Sequence, residues 1–143
     1  MQFPFLNRLS LRKVTVGTSN EAGQQARIVL DQLLEELPDL LMSCVVEVPS
    51  GRVVASYTTT AALNPNQISL RYAKLLRATD IALAARHIPG GPLTEMALLL
   101  DEQLHLIKPV QNGQSYCFLA VRLADTNLAM AAELLRRLTA PLA

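Results

Sequence analysis

With 143 residues the chain is sized for one domain, and a domain of this length buries roughly two-thirds of its unfolded surface without disulfides or a metal. Half of the residues are hydrophobic and 17% are charged, against about a quarter charged in an ordinary soluble domain, so some apolar surface is expected to be hidden against a partner. A net charge of +1 speaks against an electrostatic grip on nucleic acid, which needs clustered Lys and Arg.

Residues 1–17 read as an N-terminal arm and 18–143 as the domain. Apolar Phe3, Phe5, Leu6, Leu9, Leu11, Val14 and Val16 are mixed with Arg8, Arg12 and Lys13, and neither a period of two nor one of 3.6 holds throughout. The arm either docks loosely, packs on a neighbour, or touches an anionic surface. No apolar run reaches the roughly 20 residues of a membrane helix. The N-terminus lacks the apolar stretch and cleavage site of a secretory signal, so the expected location is the cytoplasm.

Thr18-Ser19-Asn20-Glu21 has capping-box spacing. Behind it Ala22, Ala26, Val29, Leu30, Leu33, Leu34 and Leu37 recur at three and four, which predicts a helix with one apolar face. Pro38 stops it, because the residue before a proline is pushed out of helical geometry. Residues 41–48 and 52–58 flank Pro49-Ser50-Gly51 and read as a β-hairpin. The unbroken Cys44-Val45-Val46 run points to a strand covered on both faces.

Asn64-Pro65-Asn66-Gln67 opens a second helix, with Asn64 to cap, Pro65 at the first position and Gln67 at capping-box spacing. It is expected to run to about His87, with Arg71, Lys74 and Arg77 on one basic ridge, before the connector Ile88-Pro89-Gly90-Gly91-Pro92. At about 22 residues it would be roughly 33 Å long, longer than one small sheet requires. Strands are predicted over 94–100, 103–110 and 114–123, with turns at Asp101-Glu102 and Asn112-Gly113. Asp125-Thr126-Asn127 caps a last helix through Leu138, with Arg136 and Arg137 where they suit the helix dipole. The fold class is therefore α/β (α+β): a five-stranded antiparallel sheet with helices on both faces, in the order α-β-β-α-β-β-β-α.

The same pass finds no catalytic constellation. Gly90-Gly91 follows a helix rather than a strand and lacks the phosphate-loop context. His87 and His105, with the separated Cys44 and Cys117, make a poor zinc set, and the cysteines read as buried free thiols. Glu35, Glu36, Asp39, Asp101 and Glu102 read as solvated carboxylates. No serine or threonine stands in a nucleophile elbow. Thr58-Thr59-Thr60 reads as a connector, and as the loop best able to change shape on binding. Glu47, among Val45, Val46 and Val48, must be solvated, capped or paired, since burial alone is costly. No cofactor or metal is expected, and no enzyme activity.

The element order, with Leu34-x-x-Leu37-Pro38 leading into Cys44-Val45-Val46-Glu47-Val48-Pro49-Ser50-Gly51-Arg52-Val53-Val54-Ala55-Ser56, resembles the roadblock/dynein light chain family. The later 104–110 stretch, Asn112-Gly113 and Tyr116-Cys117-Phe118-Leu119-Ala120-Val121 match in style. The resemblance implies a homodimer, or a heterodimer with a related chain, in which the long second helix and the strand after it meet their counterparts. Carried over by position, the joining surface is Ile68, Arg71, Tyr72, Leu75, Leu76 and Thr79, with the stretch 94–100, in which Thr94, Met96, Leu98 and Leu100 are singled out. It further implies a scaffold or regulator, in bacteria commonly of a Ras-like GTPase and sometimes as its activating partner. The alternative is a PAS- or profilin-like domain that senses a small molecule, which a deep pocket studded with polar groups would favour.

Overall fold

The computed structural model describes residues 14–59, 62–86 and 88–142. The readings made for 1–13 of the arm, for Thr60 and for His87 fall outside these. The elements are β1 (Thr15–Val16), α1 (Glu21–Glu36), β2 (Met42–Glu47), β3 (Val53–Thr58), α2 (Pro65–Ala85), β4 (Met96–Leu99), β5 (Gln103–Val110), β6 (Ser115–Arg122) and α3 (Leu128–Thr139). The expected order holds with one addition. Thr15 and Val16, at the end of the arm, pair antiparallel with Ser56 and Ala55, so among the described residues the sheet has six strands rather than five. Two residues are too few for any periodicity to register.

The strands lie in the order β1-β3-β2-β6-β5-β4, antiparallel at every pairing. Alternation along β6 divides the core. Cys117, Leu119 and Val121 meet α1 and α3 through Leu30, Leu33, Ala131 and Leu135. Tyr116, Phe118 and Ala120 meet α2 through Ala73 and Leu76. The Tyr116 hydroxyl, buried, donates to the Ser69 carbonyl at 2.6 Å and ties α2 to the sheet. Cys44 and Cys117 are free and buried on neighbouring strands, but they point to opposite faces. Burial pushes both thiols up, Cys117 to about 12, which leaves them protonated and inert.

Three local expectations are revised. The cap of α1 is Asn20, not Thr18: its side chain accepts from the Gly23 N–H at 3.0 Å, while the Thr18 hydroxyl donates to Asn20. Asn64 caps α2 as expected, but the Gln67 N–H bonds to the Asn64 carbonyl. Asn112-Gly113 is not a two-residue turn. Val110 and Ser115 are the last paired residues, and Gln111, Asn112 and Gly113 take successive positive φ values of 52°, 54° and 82° to reverse the chain. Glu47 is paired with Arg52 and accepts from the Ser50 hydroxyl, which secures the β2–β3 turn.

Gly23 shows how a close approach overrides propensity. A Cβ there would sit 2.1 Å from the Thr18 carbonyl oxygen and 2.9 Å from Val16 Cγ1. Gly23→Ala should therefore destabilise the protein by about 1–3 kcal/mol, although alanine in an open helix would gain about 1 kcal/mol. A thermal melt that moves upward would contradict this.

Candidate functional site

At the edge of the sheet, β4 has a neighbour on one side only among the described residues. The Leu100 N–H bonds to the Gln103 carbonyl at 2.8 Å and closes the Asp101-Glu102 turn. Antiparallel alternation then turns the backbone groups of Leu98 and Met96 toward their partners His105 and Ile107. Ala97 and Leu99 direct their N–H and C=O groups outward, to the bare edge. Leu99 is 66% exposed. It lies opposite Leu104, on the α1/α3 face.

On the other face α2 outruns the sheet. Its buried residues are Pro65, Ser69, Ala73 and Leu76, and none follows Leu76. Ile81 is 65% exposed, and Ala82, Ala84, Ala85 and Ile88 are also exposed. A flank of half-buried Ile68, Tyr72 and Thr79 with exposed Leu75 runs beside the core stripe. Of the joining surface carried over by position, Arg71, Thr94 and Leu100 are exposed and Met96 and Leu98 half-buried. Leu76 is 5% exposed and packs in its own chain's core, so it offers little surface to a neighbour. Ile81 and Ile88 are exposed apolar residues outside that set, and within its strand Ala97 and Leu99 are exposed as well. No sequence pattern separates an apolar residue that outruns the sheet from one that covers it.

Between α2 and β5 lies a hydrogen-bonded chain. Tyr72 Oη is 2.7 Å from His105 Nδ1, and His105 Nε2 is 2.8 Å from Gln103 Oε1. With the amide oxygen accepting, Nε2 carries the proton and the phenol donates to Nδ1. The imidazole meets the Phe118 ring edge-on at 5.2 Å. Burial pushes its pKa below the ordinary value of 6.5. His105 is therefore a satisfied neutral side chain; the sequence suggested only its place in an alternating strand.

An open cleft of about 460 Å³ lies past the far end of β4. Leu76, Leu93 and Val110 contribute apolar lining, with Arg77, Asp80 and Lys108 among the polar residues. Lys108 donates to the Thr94 carbonyl at 3.2 Å, which pins the connector across it. Glu95, next in the chain, keeps one carboxylate oxygen buried without a hydrogen bond. Its pKa is raised by burial, against the opposing pull of Lys108 and Arg136. Among the described residues no cluster of His, Cys, Asp or Glu could hold a metal ion, and no helix is long and apolar enough to cross a membrane.

No family model matches the chain, and no curated protein sequence does. Solved structures do. MglB of Myxococcus xanthus superposes with a TM-score of 0.72 at 11% identity, covering 87% of this chain and 89% of that one. The gliding protein MglB of Thermus thermophilus gives 0.67 at 12%, over 92% and 93%. The Roadblock/LC7 domain of Streptomyces avermitilis gives 0.63 at 13%, over 76% and 86%. The chain has the roadblock fold.

His105 sets an expectation for pH. Its folded pKa lies below 6.5, so the unfolded chain binds the proton first. The contribution is fully present above 6.5 and is lost as the pH falls from there through the folded value. The loss reaches about 1.4 kcal/mol for each unit by which the pKa is lowered. Denaturant melts between pH 7.5 and pH 5 should show this slope in the wild type and a smaller one in His105→Gln. Parallel slopes in the two proteins would assign the effect to other groups.

Proposed function

We propose that the chain is a non-catalytic scaffold that dimerises through β4 and the flank of α2, and that it holds or regulates a Ras-like GTPase. The observation that carries the reading is the bare edge of β4 beside the uncovered flank of α2. An unpaired, apolar edge is a template for another chain. A two-fold axis at Leu98 satisfies it, pairing Ala97 of one copy with Leu99 of the other, so that both sheets continue as one. The same operation brings two α2 flanks toward each other, where Leu75 and Tyr72 lose their water. One of the similar structures is described as MglB with a tetrameric arrangement, at a TM-score of 0.66 and 11% identity, which supports assembly as a habit of this fold. The GTPase partner follows from the resemblance to roadblock proteins, and a fold alone does not fix a partner.

Leu75 is exposed and Thr79 half-buried, so Leu75→Glu and Thr79→Glu should each change stability by no more than about 0.5 kcal/mol. Together they should convert a two-chain mass to a one-chain mass in light scattering at micromolar protein. A dimer that persists in the double variant removes α2 from the interface. For the partner, the tagged protein is incubated with native lysate in GTP analogue or in GDP. Retention of a Ras-like GTPase with one nucleotide only is the expected result; capture that ignores the nucleotide leaves a scaffold without a GTPase.

A further inference from the structure

The cations of this protein differ in what faces them. Arg27 pairs with Asp31, Arg52 with Glu47, Arg136 with Glu133 and Arg137 with Glu36. Arg71, Lys74 and Arg77 on α2, and Arg86 at its C-cap, are exposed and have no carboxylate partner among the described residues. Asp80 is the helix's one acid. Arg86 stands where the helix dipole welcomes a positive charge. The other three are mid-helix, three residues apart, where like charges repel along one face. Asp80, three residues beyond Arg77, is the one opposite charge the helix sets near them, and it forms no ion pair with any of the three.

The same face is not purely polar. At 100° per residue, Leu70 and Ile81 fall within the arc occupied by Lys74 and Arg77, and they are 44% and 65% exposed. A hollow lined by Asn66, Gln67, Leu70 and Arg71 lies at one end of the ridge, and the cleft beside Arg77 lies at the other. This arc is roughly 170° round the helix from the flank of Ile68, Tyr72 and Thr79, so dimerisation leaves it open.

We infer that the solvent face of α2 is a docking surface for an acidic segment of a partner protein, one that places carboxylates on Lys74 and Arg77 and apolar side chains on Leu70 and Ile81. The inference goes beyond the dimer reading and does not need it. Charge complementarity selects an acidic partner, and the interleaved leucine and isoleucine select one with apolar anchors over a bare polyanion. Arg71 borders both surfaces and links them.

The test uses the full chain and a fluorescent peptide of Leu-Glu-Glu-Leu repeats, with Leu-Lys-Lys-Leu repeats as control. The acidic peptide should bind and the basic one should not. Binding should weaken about tenfold or more, equivalent to about 1.4 kcal/mol, in Lys74→Glu/Arg77→Glu, and it should fall as salt rises. Leu70→Ser should weaken it at constant salt dependence. Light scattering on the charge-reversed variant should still give the wild-type mass, which separates this surface from the dimer interface; a one-chain mass in the wild type would instead fail the dimer reading alone. Equal binding of both peptides, or binding untouched by charge reversal, overturns the inference. So does preferential binding of phosphatidylserine vesicles through the same two cations, which would make the ridge a membrane contact.

Discussion

From Ser115 to Val121, β6 meets water on neither face nor either edge, and the remaining structure is arranged around that condition. Its neighbours β2 and β5 satisfy its backbone on both sides. Its side chains go alternately to the two helical layers. A strand buried in this way requires helices above and below, so both faces of the centre of the sheet are closed. α2 covers its face alone, and it does so through its first half, with Ala73 and Leu76 in the core.

The same arrangement decides where the protein can interact. With its faces closed, the sheet offers only its edges, and the helices offer their outer faces. One edge carries the two-residue β1. The other carries β4, short but apolar, with the backbone of Ala97 and Leu99 turned outward. α2 extends past its last core contact at Leu76 on the side where the chain returns to form β4. The two features are joined by the connector 86–95, which leads from the end of α2 into β4. His105, fixed between Tyr72 and Gln103, ties α2 to the sheet beside that edge.

Much of the fold was legible because it rests on local rules. Pro38 ended α1, Asn64 and Pro65 began α2, and Asp101-Glu102 turned β4 into β5. The apolar run at Cys44-Val45-Val46 announced a strand with two covered faces, and β2 has them. Failures occurred where two local devices compete or where too few residues act. Thr18 and Asn20 are both good caps, and the choice went to Asn20 because Gly23 allows the chain to pass close against Thr18. The Asn112-Gly113 signal was correct in calling for positive φ, but the pairing of Val110 with Ser115 left the loop longer than two residues.

By itself the sequence determined the element order, the antiparallel sheet and the apolar surplus, since periodicity, caps and turn residues act within a few positions of one another. Only the tertiary structure decided which apolar residues are surplus. Leu75, Leu76 and Ile81 share one helix and one chemistry, yet Leu76 packs with Val48 and Phe118 in the core while Ile81 stays in solvent. Glu47, Glu95 and the four cations of α2 and its C-cap are likewise just charges in the sequence. Whether each finds a partner depends on what other segments bring within ion-pair range. Arg52 reaches Glu47 across its own turn, whereas Arg71, Lys74 and Arg77 face solvent because no acidic element among the described residues folds over α2.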